Sequence, residues 1–409
     1  MHVLYFHQHF STPQGATGTR SYEMARRLIA RDHEVTMVCG SYSAADTGLT
    51  GPFVRGRRTG EVDGIRVIEL ELPYANKDSF ARRSVSFARF ALRSVGIALT
   101  YRYDLVFATT TPLTAGIPGI AARALRNRPF VFEVRDLWPE LPKAMGVISN
   151  PLVLGALGLL EWLSYHAATT SIGLAPGIVD GIAARGIDEK RITMIPNGCD
   201  LELFAPEAHH TDVPDLPGSI RAGDLVAAFT GAHGVANGLD AVLDAAVEIK
   251  RRGRSDIRFL FVGEGRVKPA LQDRVTAEEL PVDFLDPMPK ERLAALLTRV
   301  DVGVMVLANV PAFYRGTSPN KFFDYIAAGL PVLNNYPGWL AELIVGHKCG
   351  LAIPPDDPLA FADALETMTD DRRSLETMGR HGRALAESEF DREMLAERFV
   401  SFLEQAARR

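Results

Sequence analysis

The chain has 409 residues, of which 47% are hydrophobic and 23% are charged, and its formal net charge is -5. This length predicts two domains, and the composition excludes a disordered or fibrous protein. Neither half is basic enough for a nucleic-acid-binding protein. The three cysteines are far apart in sequence and odd in number, so they support no disulfide framework or zinc site, which is typical of a protein of the reducing cytoplasm.

The first half alternates short apolar runs with helical patterns, which predicts βα units around a parallel sheet. The N-terminal stretch MHVLYFHQHF predicts a buried first strand and not a signal peptide. The strands of this half are predicted at residues 3–6, 35–39, 65–70, 105–109, 130–134, 172–175 and 192–195.

A glycine-containing loop follows the first strand. Gly15 and Gly18 precede a helix that begins near Thr19. Glycines let the backbone approach a ligand, and a helix N-terminus favours an anion, although a simple turn is the alternative. Arg20 stands at the helix start, where the helix dipole disfavours a cation, so we expect its guanidinium to have an anionic partner.

Residues 79–103 contain five arginines and no acidic residue. With helical periodicity, Arg82, Arg89 and Arg93 form one stripe. The opposite side is apolar and carries Phe80, Phe87, Ala91 and Ala98. A basic amphipathic helix suits the surface of an anionic membrane. It equally suits packing on the sheet with its charges in water.

Charged residues lie at the end of the strand at residues 130–134, where Glu133, Arg135, Asp136 and Glu140 stand beside Trp138. An aromatic ring next to hydrogen-bonding charges suits a sugar. The alternative is an ion-paired loop with the tryptophan packed inside.

The most apolar segment lies at residues 148–168, but Glu161 and His166 interrupt it. No window reaches the roughly 18 uncharged apolar residues of a spanning helix. The segment predicts a core helix or a surface that dips into lipid.

A proline-containing stretch of low hydrophobicity at residues 205–223 predicts a linker. Beyond it the strand and helix alternation begins again. The strands of the second half are predicted at residues 225–230, 257–262, 282–285, 302–306 and 330–335. Ligands of such doubly wound sheets bind at the carboxyl ends of the strands.

Two more glycine-rich loops, TGAHGVANGLD at residues 230–240 and VGEGRVK at residues 262–268, each follow a predicted strand. Inside the first of them His233 and Asn237 are the polar side chains. Its glycines are Gly231, Gly234 and Gly238. Three such loops at equivalent strand ends indicate a ligand that bears phosphate.

Several motifs in chain order resemble those of a GT-B glycosyltransferase of family 4. They are the loop after the first strand, RDLWPE, IPNGCDLELF, TGAHG, VGEG, PNKFFDYIAAGLPV and GWLAELI. The resemblance extends over nearly the whole chain. TGAHGVANGLD with FEVRDLWPE is most similar to the bacterial branch that adds amino sugars such as N-acetylfucosamine to O-antigen or capsule precursors.

The resemblance implies an α/β fold of two Rossmann-like, doubly wound domains that face a cleft. The acceptor would bind the N-terminal domain, residues 1–204, and a nucleotide-sugar would bind the C-terminal domain, residues 224–388. The last helix, within residues 389–409, would cross back onto the first domain. The resemblance also implies retention of anomeric configuration and no metal or other cofactor. Basic side chains, backbone amides and a helix N-terminus would then stabilise the departing diphosphate.

The family's contact residues carry over unevenly. Two glutamates eight positions apart usually contact sugar and ribose; the second matches Asp324, but the first falls on Gly316. The basic pair that usually follows the first strand of the C-terminal domain is missing. Diphosphate binding is therefore expected from Lys321 or Arg315, with Lys321 also expected to take part in catalysis. Read alone, Lys321 and Asp324 could equally be solvated residues of a helix.

Other donor contacts are expected by the same resemblance. The turn whose amides complete the site contains Ser318, Pro319 and Asn320. The residues that border the base and ribose are Gly263, Glu264, Gly265, Leu285 and Asp286. The residues near the sugar are Gly338, Trp339 and Glu342.

Arg135 stands where many relatives have a histidine near the reacting sugar. This departure favours a front-face reaction, in which the leaving phosphate assists the acceptor hydroxyl, with Glu133 and Asp136 as further catalytic candidates. Gly15, Gly18, Arg20 and Trp138 are expected on the acceptor side.

The expected function is transfer of an N-acetylated amino sugar from a UDP-linked donor to a lipid-linked or saccharide acceptor of cell-surface polysaccharide. The expected location is the cytoplasm, with peripheral contact on the inner face of the plasma membrane through residues 79–103. A GT-B nucleotide-sugar 2-epimerase and a non-catalytic two-lobed sugar-binding protein stay open as alternatives. A nicotinamide dehydrogenase is disfavoured because no GxGxxG follows the first strand.

Overall fold

The computed structural model describes residues 1–15, 17–74, 78–205 and 212–408. They form two compact units. The first contains Met1–Pro196, Arg315–Ser318 and Glu393–Arg409, and the second contains Asn197–Tyr314 and Pro319–Arg392. Part of the predicted linker, residues 206–211, lies outside the described residues.

An eight-stranded sheet forms the centre of the first unit, in the order β3-β4-β2-β1-β5-β6-β7-β8. Its strands are β1 (His2–Phe6), β2 (Glu34–Tyr42), β3 (Arg57–Val62), β4 (Ile65–Tyr74), β5 (Leu105–Thr109), β6 (Phe130–Val134), β7 (Thr170–Gly173) and β8 (Ile192–Met194). Neighbours pair in parallel except β3 and β4. Every residue of β5, β6 and β7 is buried, as expected for strands that helices cover on both faces.

The helices of this unit connect its parallel strands. They are α1 (Arg20–Ala30), α2 (Phe80–Thr100), α3 (Gly116–Arg126), α4 (Glu140–Ala144), α5 (Pro151–Ala167) and α6 (Pro176–Ala183). The start of α5 is encoded locally, because Pro151 is its first residue and the Asn150 side chain accepts hydrogen bonds from the amides of Leu152 and Val153. Ser79 caps α2 in the same way by accepting from the Arg82 amide.

The second unit has a six-stranded parallel sheet in the order β11-β10-β9-β12-β13-β14. Its strands are β9 (Leu225–Thr230), β10 (Ile257–Val262), β11 (Val282–Leu285), β12 (Val302–Met305), β13 (Val332–Asn334) and β14 (Gly350–Ala352). Its helices are α7 (Asp240–Arg251), α8 (Lys268–Glu278), α9 (Lys290–Leu297), α10 (Pro311–Tyr314), α11 (Asn320–Ala327), α12 (Trp339–Gly346), α13 (Pro358–Asp370) and α14 (Arg372–Glu389). The prediction of two doubly wound domains is confirmed.

The final helix, α15 (Arg392–Ala407), belongs to the first unit from Glu393 onward. Phe399 packs edge-on against Phe107 of β5, with ring centroids 5.0 Å apart. Arg31 of α1 forms an ion pair with Glu397 at 2.7 Å. A helix far along the chain therefore completes the packing of the first sheet.

Every strand predicted from the sequence is present, with boundaries shifted by up to four residues, and two strands were missed. The β3 strand, RRTGEV, has no apolar run because it lies at the sheet edge, and β14 has only three residues. The strand predicted at residues 172–175 instead spans Thr170–Gly173. Among the described residues, the helices are too short or too polar to cross a membrane.

Candidate functional site

Two glycine-rich loops of the second unit pack against each other at the carboxyl ends of β9 and β10. Gly231 and Gly263 both have positive φ angles, 134° and 147°. A Cβ atom on Gly263 would lie 1.9 Å from the Gly231 carbonyl oxygen, so only glycine fits there. The amide of Gly231 donates to the Val262 carbonyl, and that of His233 donates to the Glu264 carbonyl, each at 2.9 Å. The structure thus brings together two of the three loops that were predicted to hold phosphate.

Lys321 reaches this pair of loops from the first turn of α11. Its amine donates to Asn237 Oδ1 at 3.3 Å and lies 4.0 Å from the centroid of the Phe229 ring. Its Cε atom lies 3.2 Å from where a Cβ on Gly231 would stand, so this glycine leaves room for the lysine. Burial lowers the pKa of Lys321 to about 7. Across the described ranges, no carboxylate pairs with this amine.

Another lysine, Lys268 of α8, forms hydrogen bonds with three residues that were expected around the base and ribose. Its amine donates to the Gly263 carbonyl at 3.0 Å, to Asp286 at 2.9 Å and to Glu264 at 3.3 Å. The hydrogen bond from Lys268 lowers the pKa of Asp286. Lys268 was not among the residues predicted from the sequence, although it stands three residues after Gly265 of a predicted glycine loop.

Asp324 lies on α11 but faces a cluster of charges. Lys290 lies 3.5 Å from its carboxylate and also contacts Asp200, which pairs in turn with Arg392. Burial raises the pKa of Asp324. Burial also opposes ionisation of Asp200, but Arg392 and Lys290 hold its pKa below the usual value. Lys290 is the cation that faces the buried Asp324 carboxylate, and contact of Asp324 with a ribose stays a prediction. The other three members of the cluster were not predicted because they are distant in sequence.

His233 lies beneath the glycine loop and not on its surface. Its side chain is 0% exposed and packs among Phe229, Phe261 and Phe284 at centroid distances of 6.0 to 6.1 Å. Burial lowers its pKa to about 4, so the ring is neutral at physiological pH. The ring packs inside the loop, and neither ring nitrogen has a hydrogen-bond partner among the described residues, so contact of His233 with the donor stays a prediction. Gly234 begins the short helical turn Val235–Asn237 that carries Asn237.

The residues expected near the sugar stand at the start of α12. Gly338 has a φ of 118°, and a Cβ there would lie 1.8 Å from the Tyr314 carbonyl oxygen. Trp339 is buried, and contact of its ring with a sugar stays a prediction. Glu342 is exposed, and its amide donates to the Gly338 carbonyl at 3.0 Å.

The turn before α11 is divided between the two units. Arg315 and Ser318 belong to the first unit, whereas Pro319 and Asn320 belong to the second. The Gly177 amide donates to the Arg315 carbonyl at 2.9 Å, and the Arg315 guanidinium lies 4.0 Å from Asp180. The structure therefore gives Arg315 an acidic neighbour, unlike Lys321.

In the first unit, Glu133 at the end of β6 is fully buried and held by two arginines. Arg20 donates to one carboxylate oxygen at 2.8 and 3.0 Å, and Thr109 and Arg135 donate to the other at 2.7 and 3.2 Å. Burial opposes ionisation, but Arg20 and Arg135 together bring the pKa of Glu133 below its usual value. Glu133 is thus the anionic partner expected for Arg20. Glu133 is 0% exposed and accepts a hydrogen bond from Arg135, so it holds Arg135 in place. This corrects the expectation that Glu133 itself touches substrate.

Arg135 is fixed by this network and keeps part of its side chain accessible. Its guanidinium also donates to Thr109 at 2.9 Å and to Ser21 at 3.0 Å, and 21% of the side chain stays exposed. Asp136 accepts a hydrogen bond from Thr111 at 3.1 Å, and burial raises its pKa. The guanidinium therefore stands preorganised at the carboxyl edge of the first sheet.

The remaining acceptor-side candidates lie on loops of the same unit. Trp138 is half-buried, and Gly18 is exposed. Gly15 is buried, its amide donates to the Thr12 carbonyl at 3.1 Å, and a Cβ there would lie 2.2 Å from Ser11 Oγ. Gly15 thus permits a tight turn, and its place on the acceptor side stays a prediction.

Comparison with protein families gives two adjacent matches. Residues 15–198 match the "Glycosyl transferase 4-like domain" and residues 224–371 match "Glycosyl transferases group 1". Between them these matches span most of the chain, one in each half. The chain belongs to the GT-B glycosyltransferase superfamily.

This GT-B protein is similar to D-inositol 3-phosphate glycosyltransferase of Nocardia farcinica, with 30% identity over 203 residues, 47% of this chain and 43% of that protein. The chain thus spans less than half the length of that relative in the match. By structure it is similar to sucrose-phosphate synthase from Thermosynechococcus elongatus (TM-score 0.75, 18% identity, 99% of this chain and 98% of that one). It is also similar to Anabaena HepE in complex with UDP-glucose (TM-score 0.70, 18% identity, 99% and 100%). At these identities the structural likeness shows the GT-B fold.

Proposed function

We propose that this protein is a retaining glycosyltransferase that uses a nucleotide-diphosphate sugar, with UDP as the nucleotide. The observation that carries the proposal is the amine of Lys321, which lies half-buried against a bare glycine backbone with no carboxylate partner in the described part of the chain. A partly desolvated cation costs free energy unless an anion accompanies it. The diphosphate of the donor supplies such an anion.

The chemistry of transfer requires positive charge at this position. The bond between the anomeric carbon and the diphosphate oxygen breaks, a bond forms from that carbon to the acceptor oxygen, and the acceptor proton passes to the leaving phosphate. Negative charge develops on the departing diphosphate. Lys321 and the amides at the start of α11 stabilise that charge, which is the part a metal ion plays in other transferases.

The groups around Lys268 form the proposed nucleoside side of the site. Glu264 and Asp286 offer carboxylate oxygens to ribose hydroxyls, and Lys268 holds both in place. In the first unit, Arg135 is the proposed group that acts on the reacting sugar or acceptor, because its guanidinium is fixed and partly exposed. The structural neighbour HepE was solved with UDP-glucose, which supports UDP as the nucleotide.

The finer assignment rests on motif resemblance. We propose an N-acetylated amino sugar as the transferred group and a lipid-linked or saccharide acceptor in cell-surface polysaccharide synthesis. The Nocardia relative is a D-inositol 3-phosphate glycosyltransferase by name, which supports a small phosphorylated acceptor as the competing possibility. The proposed location is the cytoplasm, at the inner face of the plasma membrane.

The test is a panel of UDP-, GDP- and dTDP-sugars scored for release of nucleotide diphosphate, with and without lipid-linked and soluble acceptors. We expect turnover with a UDP-sugar that depends on acceptor and on Lys321. Release of free epimerised sugar without acceptor would instead identify a 2-epimerase. Binding of nucleotide-sugar without any release would identify a sugar-binding protein. No turnover with any donor would remove the proposal.

A further inference from the structure

Helix α5 has its apolar side towards solvent and its charge towards the protein. Leu152 is 82% exposed and Leu159 is 58% exposed. Other exposed apolar residues of the helix are Val153, Trp162 and Leu163. Its acidic residue, Glu161, is buried and pairs with Arg185 at 2.6 Å. A surface helix of a water-soluble domain normally has the opposite arrangement, so the outer face of α5 needs an apolar neighbour.

The exposed side of α5 is continuous with that of two other helices. α3 packs on α5 so closely that a Cβ on Gly116 would lie 2.6 Å from Ser164 Oγ. On its other side α3 contacts α2, and Arg126 donates to the Ala98 carbonyl at 3.1 Å. Exposed apolar side chains continue onto these helices at Leu125, Val85 and Leu92. We name these three helices the α2–α3–α5 surface.

The α2–α3–α5 surface is also basic. The sequences of α2 and α3 contain arginines and no acidic residue. Arg82 and Arg89 are exposed and alternate along α2 with Val85 and Leu92. Arg93 departs from the predicted stripe because its guanidinium donates to the Gly56 carbonyl at 2.8 Å.

The apolar side of α2 packs inward. Phe87, Ala91 and Ala98 are buried, as the sequence predicted. The side chain of Phe80 lies outside the described residues. Outward-facing arginines and apolar residues on one helix are typical of a protein that lies on a lipid interface.

We propose that the α2–α3–α5 surface binds an anionic lipid bilayer. In this arrangement α5, roughly 25 Å long at 1.5 Å per residue, lies in the plane of the interface with its leucines among the acyl chains. Arg82 and Arg89 then contact anionic headgroups. A second copy of the chain fits less well, because a twofold contact would bring the arginines of one copy near those of the other.

This inference rests on the membrane location given in the proposed function and adds the surface that binds. Its failure is distinguishable from a failure of sugar transfer, because lipid binding requires no nucleotide-sugar and is measured without one. The full-length protein is mixed with sedimenting vesicles of phosphatidylcholine, with or without phosphatidylglycerol, at low and high salt. We expect vesicles with phosphatidylglycerol to bind at least about tenfold more tightly than those without, and salt to weaken the binding.

Two double variants separate the apolar and the charged parts of the surface. Leu152→Glu with Leu159→Glu should weaken binding roughly 30-fold or more, because both leucines leave water on binding. Arg82→Glu with Arg89→Glu should weaken it about tenfold and remove most of its salt dependence. Leu359→Glu is the matched control, because Leu359 of α13 is 53% exposed but lies in the second unit, and it should bind as the parent does.

Trp162 provides a readout that does not depend on the charged variants. Its fluorescence should shift to shorter wavelength when phosphatidylglycerol vesicles are added, and Trp162→Phe should lose that shift. The proposal is overturned if the parent does not sediment with these vesicles, or if the double leucine variant binds as tightly as the parent. A dimer that this variant turns into monomers, with unchanged vesicle binding, would assign the surface to a second copy.

Discussion

Glu133 of the first unit and Lys321 of the second are both withdrawn from water, but their charges are compensated differently. In the first unit, the Glu133 carboxylate accepts hydrogen bonds from two arginines and a threonine. In the second, Lys321 has an amide oxygen and an aromatic ring beside its amine but no carboxylate in the described ranges. A buried charge that has partners of opposite charge stabilises the fold, whereas a charge without such a partner is available to bind a ligand. The following predictions test this distinction.

The largest effect should come from breaking the compensated network. Arg20→Met leaves the buried Glu133 carboxylate without its strongest partner, so the free energy of unfolding should fall by about 3–5 kcal/mol. Urea unfolding at neutral pH measures the change. Arg26→Met, on the exposed side of α1, is the control and should change stability by less than about 0.5 kcal/mol. A loss of less than about 1 kcal/mol for Arg20→Met would show that the pair is not a scaffold element.

Lys321→Met should have the opposite profile. The rate of nucleotide diphosphate release should fall about 100- to 1,000-fold, because the leaving group loses its fixed positive charge. Stability should be unchanged or higher, because an apolar side chain of similar length replaces a partly desolvated amine. Lys250→Met is the control, since Lys250 of α7 pairs with Glu279 in an exposed position. Activity of Lys321→Met within twofold of the parent would place the diphosphate contact elsewhere.

The fold and part of the site could be predicted from the sequence, whereas contacts between distant residues could not. The glycine loops, the strands and Lys321 are local signals, and the structure brings Lys321 to the loop that carries Gly231 and Asn237. The compensation of Glu133 by Arg20 could not be predicted, because 113 residues separate the pair. The burial of His233 could not be predicted either, because the motif TGAHG does not show that its ring packs among three phenylalanines.

Asp324 tests whether a buried charge of the second unit stabilises the fold or contacts a ligand. Its carboxylate shares a cluster with Asp200, Lys290 and Arg392, so Asp324→Asn should lower the free energy of unfolding by about 1–3 kcal/mol. The KM for the donor should then change by less than twofold. Full stability with a raised donor KM would instead give Asp324 the ribose contact that the motif resemblance implied. Both quantities come from one preparation, by urea unfolding and steady-state kinetics.

The most direct test of the central claim is the pH dependence of nucleotide diphosphate binding, measured by calorimetry between pH 7 and pH 9. The pKa of Lys321 in the free protein is about 7, and a bound diphosphate favours the charged amine and raises that pKa. Binding therefore takes up a proton above pH 7, and affinity should fall by up to about tenfold per pH unit. In Lys321→Met binding should be weaker and independent of pH. Parallel pH profiles for parent and variant, or a parent affinity that stays constant over this range, would contradict the account.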